Sequence, residues 1–330
     1  MKTHILFIIG CMCISFPLFA QINETPTTGD NTNKPINQTI ERINNKQWIH
    51  GASDCIDYQG PAIDQFKFDT ESFILRQSKC THYEAPFIYV LFGNKTVLVL
   101  DTGATSDPQA FPLYQTIMDL AENYRLEENL EPLNILVMHS HGHRDHMAAD
   151  SQFTNQPNVE LIEANGPAMN KFIGPGNWPN ITREIDLGGR ILTIIPSPGH
   201  QEQSIAIYDS KTQWLLTGDT LYPGRLYVRS WKKYLESIKR LVEFSQNHNI
   251  SAVLGGHIEM SKTPGEIYPV GSTYQPNETG LALSVEQLRL LHELLTMENA
   301  KKREINTEQF IVSPLSNFQK IISSILKMFI

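Results

Sequence analysis

The chain has 330 residues, a formal net charge of −8 and 41% hydrophobic residues, which is typical of a soluble globular protein with one or two domains. An acidic chain without a basic stretch argues against a nucleic-acid partner, because phosphate binding requires clustered Lys and Arg. Beyond the N-terminus, no stretch approaches the about 20 apolar residues that span a bilayer, so we expect no stable membrane span in the mature chain. The composition does not predict an oligomeric state.

The first twenty residues differ from the rest of the chain. Lys2 precedes an apolar stretch that ends at Ala20, which is the pattern of a secretory signal peptide over residues 1–20. We therefore predict an exported protein, either periplasmic or secreted. Lipoprotein cleavage before Cys11 is an alternative, although the apolar run before it is short for this purpose. Residues 21–47 are polar and rich in Asn and Thr, which predicts a flexible linker.

Two cysteines, Cys55 and Cys80, remain after removal of the signal peptide. An even pair in an exported protein favours a disulfide, which would contribute about 3 kcal/mol by restricting the unfolded chain. Two separate free thiols are the alternative, because the sequence does not give the distance between them.

Strands and helices alternate through residues 48–280, which we predict to form one folded domain. Apolar segments predict strands over 72–77, 85–93, 96–103, 133–140, 158–164, 190–199, 204–209, 213–219 and 251–257. Helical spacing of apolar residues predicts helices over 109–124, 230–247 and 284–295, with a further packed helix over 317–329. Two runs of strands with helices behind them indicate two α/β layers packed on each other. We expect residues 281–330 to form a helical extension packed on this domain.

The motif HSHGHRDH follows the predicted strand over 133–140. Side chains two positions apart in an extended segment point the same way, so His141 and His143 can face one point. Asp145 and His146 can face a neighbouring point after a turn. Four histidines in eight residues are unusual in a chain with 11 histidines in total, so we interpret the motif as a metal-binding cluster.

Three further side chains of the same chemical type, His200, Asp219 and His257, also follow predicted strands. A single His after Gly is commonly a turn or core residue, and an Asp after Gly commonly forms a turn. Together with the histidine cluster, however, they complete a ligand set suited to zinc, for which three protein ligands and an open position make a catalytic site. The sequence therefore predicts a catalytic zinc centre.

The combined motifs resemble those of the metallo-β-lactamase-fold superfamily over about residues 70–260. The matching positions are His141-x-His143-x-Asp145-His146, Gly199-His200, Gly218-Asp219 and Gly256-His257. LVLDTG at 98–103 resembles the strand and turn that precede the first motif in that superfamily. The resemblance implies a four-layer αββα sandwich with a dinuclear zinc site, and thus two Zn²⁺ per chain, at one edge.

The resemblance also implies a role for each ligand. One zinc would be held by His141, His143 and His200, the second by Asp145, His146 and His257, and Asp219 would bridge both. His139 lies outside the pattern, and we interpret it and Asp101 as residues that support the ligands. A zinc-bound hydroxide would attack a small-molecule ester, lactone, thioester or related bond, and Asp145 would orient it and pass a proton to the leaving group.

Two positions narrow the choice within the superfamily. His143 stands where the oxygen- and NO-reducing diiron branch has Glu. Asp219 resembles the glyoxalase II, lactonase and sulfatase-like branches, whereas β-lactamases have Cys at this position or generally lack the bridging Asp. A signal peptide argues against a glyoxalase II role, because that role depends on thiols of the cytoplasm. The alternatives are a β-lactamase proper and a non-catalytic metal-binding protein, and Mn or Fe could replace zinc.

Two tyrosines, Tyr222 and Tyr227, follow Asp219 closely in the sequence. A phenol near the metals could bind a substrate carbonyl oxygen or oxyanion, but we expect at least one of the two tyrosines to pack in the core instead. The long Gly/Pro/Thr-rich segment over 258–280 lies directly behind the last predicted ligand, and we expect it to shape substrate access.

Overall fold

The first of two large sheets contains the segment that carries the histidine motif. A computed structural model describes residues 34–297 and 302–320, so the predicted signal peptide lies outside the described residues. In spatial order the strands are β1 (Ile63–Lys67), β2 (Ser72–Gln77), β3 (Phe87–Phe92), β4 (Thr96–Leu100), β5 (Asn134–Met138) and β6 (Val159–Leu161). The pairs β4–β5 and β5–β6 are parallel and the others antiparallel.

The second sheet also has six strands. They are β7 (Arg183–Asp186), β8 (Ile191–Pro196), β9 (Ile205–Asp209), β10 (Trp214–Gly218), β12 (Ala252–Gly255) and β13 (Ala282–Leu283), in the spatial order β13-β12-β10-β9-β8-β7. Both β8 and β10 are antiparallel to β9, and β12 is parallel to β10. Strands β8, β10 and β12 therefore run in one direction, and their carboxyl ends meet at one edge of the sheet.

The described residues form seven α-helices around the two sheets. They are α1 (Lys34–Asn44), α2 (Leu113–Glu127), α3 (Arg144–Met147), α4 (Asp150–Phe153), α5 (Gly166–Ile173), α6 (Trp231–Asn247) and α7 (Val285–Thr296). One apolar cluster joins α2 to the first sheet, and another joins α6 and α7 to the second. Within the described ranges, no helix is long and apolar enough to cross a membrane.

Strand β4 shows how the sequence produces these layers. Successive side chains of a strand point to opposite faces of its sheet. Leu98 and Leu100 belong to the apolar cluster between the two sheets, whereas Val97 and Val99 belong to the cluster under α2. A strand that is apolar at four consecutive positions is thus buried on both faces, which agrees with the four-layer αββα sandwich.

We predicted a flexible linker over 21–47, but from residue 34 onward the structure shows helix α1 instead. Ile43 is fully buried in the cluster between the sheets, and Ile40 packs against that cluster. The Asn44 side chain donates to the Ala282 carbonyl at 3.0 Å and accepts from its N–H at 2.8 Å. Two isoleucines three residues apart on one helix face bury this segment, although its composition is polar.

The C-terminal extension predicted over 281–330 is helical only in part. Strand β13 belongs to the second sheet, and α7 packs beside α6. A third sheet contains β11 (Arg225–Val228), β15 (Ile311–Pro314) and β14 (Ile305–Asn306), and it was not predicted because such short strands pair with distant residues. Of the helix predicted over 317–329, the described part, 317–320, is helical, and the remainder lies outside the described residues.

A disulfide joins Cys55 to Cys80, with their Cα atoms 5.1 Å apart. It ties the segment before β1 to the loop that follows β2. This loop runs to β3 and, as shown below, borders the predicted metal centre.

A buried ion pair holds the two sheets together at the end opposite the metal ligands. Arg190, which is 1% exposed, donates to both oxygens of buried Asp209 at 2.9 and 2.6 Å. It also donates to the Ser72 hydroxyl at 2.9 Å and to the Phe92 carbonyl at 3.2 Å, both in the first sheet. Burial alone would raise the pKa of Asp209, but the bonds and charge of Arg190 outweigh burial and lower it.

The substitution Arg190→Met should therefore destabilise the fold strongly, because it leaves Asp209 buried without its cation. We expect the free energy of unfolding in urea at pH 7 to fall by about 3–5 kcal/mol. Because the folded-state pKa of Asp209 is lowered, this contribution is complete above about pH 4 and is lost as the pH falls through that pKa. Lys239→Met, at an exposed position on α6, is the control and should change little. Equal stabilities for the two variants would contradict the assignment.

Candidate metal centre

Strand ends bring all seven predicted ligands to one edge of the sandwich. His141 and His143 follow β5, and His143 has the extended conformation (φ −87°, ψ 150°) that precedes helix α3. Asp145 and His146 lie in the first turns of α3. The other three ligands follow β8, β10 and β12, whose carboxyl ends share that edge; they are His200, Asp219 and His257.

The first group consists of His141, His143, His200 and Asp219, whose candidate ligand atoms all lie within 4.8 Å of one another. His143 Nδ1 is 2.9 Å from His141 Nε2 and 3.0 Å from His200 Nε2. Asp219 Oδ2 lies 3.7 Å from His141 Nε2 and 3.5 Å from His200 Nε2. These four atoms surround one point.

The second group consists of Asp145, His146, Asp219 and His257, again within 4.8 Å of one another. His146 Nε2 lies 3.2 Å from both Asp145 Oδ2 and His257 Nε2. Asp219 Oδ1 is 3.4 Å from each of the two histidine nitrogens. Asp219 thus directs one oxygen to each group and is the residue common to both.

Hydrogen bonds at the far side of the rings determine which nitrogens carry protons. The Nδ1 atom of His200 lies 2.8 Å from the Tyr227 carbonyl, and that of His257 lies 3.1 Å from the Glu84 carbonyl. A carbonyl only accepts, so both Nδ1 atoms are protonated and donate to it. The Nε2 lone pairs of these rings are therefore directed into the centre, as metal ligands require.

Asp101 and Ser140 fix two further rings in the same way. Asp101 Oδ1 accepts from the Ser140 N–H at 2.7 Å, and its Oδ2 accepts from the Ser140 hydroxyl at 2.9 Å and from His146 Nδ1 at 2.9 Å. Since the Ser140 hydroxyl donates to Asp101, its lone pair can accept from His141 Nδ1, which is 3.1 Å away. The sequence indicated Asp101 through LVLDTG, whereas nothing in the motif indicated Ser140.

His139 belongs to neither group. It is buried, with Nδ1 3.1 Å from the His146 carbonyl and Nε2 3.2 Å from Asp150 Oδ2. Thr102 donates to the other oxygen of Asp150 at 2.7 Å. This arrangement holds the start of α3 against the loop after β4, which agrees with the supporting role expected for His139.

The electrostatics of the centre favour a bound cation. Burial, followed by the charge of His146, lowers the pKa of His141 well below its ordinary value and keeps that ring neutral. Burial also opposes charge on His257, but Asp219 and Asp145 outweigh it and raise its pKa to about 9, so without a metal its Nε2 carries a proton that a bound cation would replace. Asp219 Oδ1 is buried and has no hydrogen-bond partner among the described residues. Lone pairs directed at one another beside buried carboxylates fit divalent metal ions, because a cation satisfies all of them.

Backbone packing leaves room for the shared carboxylate. A Cβ atom at Gly256 would lie 2.7 Å from Asp219 Oδ1 and 2.9 Å from the His146 ring. These separations are shorter than van der Waals contact, so the close approach of β12 to the centre requires glycine at this position.

A cavity of about 300 Å³ adjoins both groups and is large enough for a small ligand. Tyr222 and Tyr227 line it, as the sequence suggested. The Tyr222 hydroxyl, however, donates to the Arg225 carbonyl at 2.7 Å and so serves the fold, whereas Tyr227 is only partly buried. Residues 268–272, from the segment expected to shape access, form part of the wall.

Four charged residues on the cavity wall were not identified from the sequence. They are Lys79, Glu84, Arg229 and Glu259. Lys79 and Glu84 lie in the loop between β2 and β3, and their contact with the centre depends on pairing between distant segments. No motif in the sequence marks that loop.

Asp101→Asn should weaken binding at the second group. The Ser140 N–H requires an oxygen, so the amide nitrogen of Asn would face His146 Nδ1 and favour the tautomer with a proton on Nε2. In a competition titration with a chelator, we expect the affinity for zinc to fall about 10- to 100-fold at the site formed by the second group and to stay the same at the other. Asp107→Asn, at an exposed position in the same loop, is the control. Unchanged affinity in Asp101→Asn would contradict this role.

Curated proteins similar to this chain include two types of hydrolase. It is 25% identical over 203 residues to acyl-coenzyme A thioesterase MBLAC2 of Bos taurus, covering 52% of this chain and 72% of that protein. It is 25% identical over 181 residues to hydroxyacylglutathione hydrolase of Brucella ovis, covering 49% of this chain and 68% of that protein.

Among solved structures, a metallo-beta-lactamase from Pontibacter korlensis matches at 16% identity with a TM-score of 0.46, covering 72% of this chain and all of that chain. The family model of the metallo-beta-lactamase superfamily matches residues 84–257, which is 174 of 330 residues. This range contains all seven residues of the two ligand groups. The chain therefore belongs to the metallo-beta-lactamase superfamily.

Proposed function

We propose that the protein is an exported, zinc-dependent hydrolase that cleaves a small-molecule ester, lactone, thioester or related bond. The observation that carries the proposal is the pair of buried His/Asp groups that share Asp219 at the floor of a cavity. Such a ligand set, with one side open to a cavity, is the arrangement of catalytic rather than structural zinc.

The first zinc would be held by His141, His143 and His200 and the second by Asp145, His146 and His257, with Asp219 contributing one oxygen to each. Metal ions at these positions would supply an activated water and polarise the scissile carbonyl. The supporting bonds from Asp101, Ser140 and the backbone carbonyls keep the ligand nitrogens directed inward.

Asp145 is the candidate catalytic residue among these ligands. Burial would raise the pKa of Asp145, but the charge and hydrogen bond of His146, and then His257, outweigh burial and hold it well below its usual range. Its carboxylate therefore stays ionised, and it borders the cavity. An ionised carboxylate there can accept a hydrogen bond from the attacking water and pass its proton to the leaving group.

Thioesters are the bond type that the comparisons support first. The names of both relatives specify an acyl group on a thiol carrier, coenzyme A in one and glutathione in the other. The bridging position is also Asp rather than Cys, which argued against a β-lactamase from the sequence alone. A panel of thioesters, esters, lactones and a chromogenic cephalosporin separates these substrates.

Export is supported by two independent features. The residues before Ala20 have the pattern of a signal peptide, and Cys55 is joined to Cys80. Disulfides persist in oxidising compartments and are rare where thiols are kept reduced. Cell fractionation that places the full-length protein and its disulfide outside the cytoplasm would test this part of the proposal.

Metal analysis combined with activity tests the proposal. We expect about two zinc ions per purified chain and turnover of at least one panel substrate, with activity lost in a chelator and restored by zinc. His141→Ala and Asp219→Ala should each lower kcat/KM by more than about 100-fold, because each removes a ligand.

His248→Ala is the matched control, since His248 is exposed at the end of α6, away from the ligand groups. It should retain full zinc content and activity. A metal-free, folded protein with unchanged turnover would exclude the zinc mechanism. Two bound zinc ions without turnover of any panel substrate would instead support a non-catalytic metal-binding protein.

A further inference from the structure

The side chain of Lys79 lies in the cavity wall, and the proposed chemistry does not use it. Lys79 is 3% exposed and lines the same cavity as His143, Asp145 and Asp219. Its Nζ donates to the Tyr83 carbonyl at 3.1 Å. An ammonium group has three donors, and among the described residues Nζ has this one hydrogen-bond acceptor and no carboxylate within 4.0 Å. A buried cation is thus left with donors to spare beside the metal centre.

Packing fixes Lys79 before any ligand binds. A Cβ atom at Gly51 would lie 2.8 Å from Lys79 Cβ and 1.9 Å from the Thr273 carbonyl oxygen, so the lysine stem lies directly against the Gly51 backbone. The next residue, Cys80, is joined to Cys55 by the disulfide. A side chain already held in place loses little conformational entropy when it binds a ligand, which favours affinity.

Neighbouring charges do not neutralise this lysine. Burial, followed by repulsion from Arg76, lowers the pKa of Lys79 to about 8, so the group is still largely protonated at pH 7. Arg76 is itself paired with Glu278, through two bonds of 2.5 and 2.6 Å. The nearby Glu259 accepts from the Arg225 N–H at 2.7 Å. Glu278, Glu259 and Glu84 favour the charged form of Lys79, but no carboxylate of the described residues lies within 4.0 Å of its Nζ, so an anion in the cavity would find a cation without a direct ion-pair partner.

We propose that Lys79 binds an anionic group of the substrate while the scissile carbonyl lies at the metal centre. The substrate class is then a thioester or ester with a carboxylate or phosphate on its acyl portion. At about 300 Å³, the cavity is at the lower end of the range for ligand sites, so the anion and the scissile bond are close together. This inference rests on the proposed function, since it assigns the substrate of the same site.

Three synthetic substrates test the inference with zinc-loaded protein: S-phenyl thioacetate, its carboxylate analogue S-phenyl monothiosuccinate, and its phosphonate analogue S-phenyl 3-phosphonothiopropionate. Lys79→Met retains the stem that packs on Gly51 but removes the charge. We expect KM for the preferred anionic thioester to rise about 10- to 100-fold, with kcat changed less than about threefold. Turnover of the neutral thioacetate should be unchanged within about threefold. The two anionic arms show whether a carboxylate or a phosphate-like group is preferred.

Binding provides a readout that does not depend on turnover. Titration calorimetry measures the binding of succinate and of inorganic phosphate to wild type and Lys79→Met at equal zinc content and melting temperature. We expect Lys79→Met to bind one of these anions about tenfold more weakly than the wild type does. Lys79→Arg should restore part of the affinity. Lys239→Met, with the same change of charge at an exposed position on α6, should bind like the wild type. If Lys79→Met does not fold, Lys79→Gln, which can still donate to the Tyr83 carbonyl, replaces it.

The outcomes separate this inference from the proposed function. Equal anion affinity in wild type and Lys79→Met, or an equal loss of neutral and anionic turnover, overturns the role of Lys79 and leaves the hydrolase intact. Absence of turnover by the wild type on every substrate overturns the hydrolase, whereas the calorimetry still decides whether Lys79 binds anions.

Discussion

Burial of the Asp219 carboxylate between two sets of imidazole nitrogens is the constraint on which the site depends. One oxygen faces His141 and His200, and the other, which has no hydrogen-bond partner in the described part of the chain, faces His146 and His257. A buried carboxylate beside converging lone pairs is costly unless cations lie between them. The centre therefore makes physical sense as a metal site, and the surrounding hydrogen bonds serve to keep its donors aimed inward.

The sandwich supplies the rigidity that such a centre requires. Parallel strands place their carboxyl ends at one edge, so residues far apart in the sequence meet without long loops. Strands buried on both faces hold that edge in place, and the Arg190–Asp209 pair joins the sheets at the other end. Ligands carried on the ends of packed strands are held more precisely than ligands on mobile loops.

The cavity beside the two ligand groups is built largely by segments outside the ligand motifs. The loop between β2 and β3 contributes Lys79, and its Glu84 carbonyl accepts from His257. The disulfide and the packing against Gly51 hold this loop in place. The two ligand groups therefore come from the superfamily motifs, whereas Lys79 comes from a loop that those motifs do not include. A fold alone does not determine a substrate, because the site residues around the metals decide it.

The sequence by itself determined the two-sheet architecture and which His and Asp residues the fold brings together as candidate metal ligands. Apolar runs such as 97–100 and 135–138 predict buried strands, and histidines at H-x-H-x-D-H predict metal binding. Only the tertiary structure decided the rest: the helix that begins at Lys34, the third sheet, the Cys55–Cys80 bridge and the position of Lys79. These features depend on contacts between distant segments, and a local pattern carries no information about which distant surface a residue will meet.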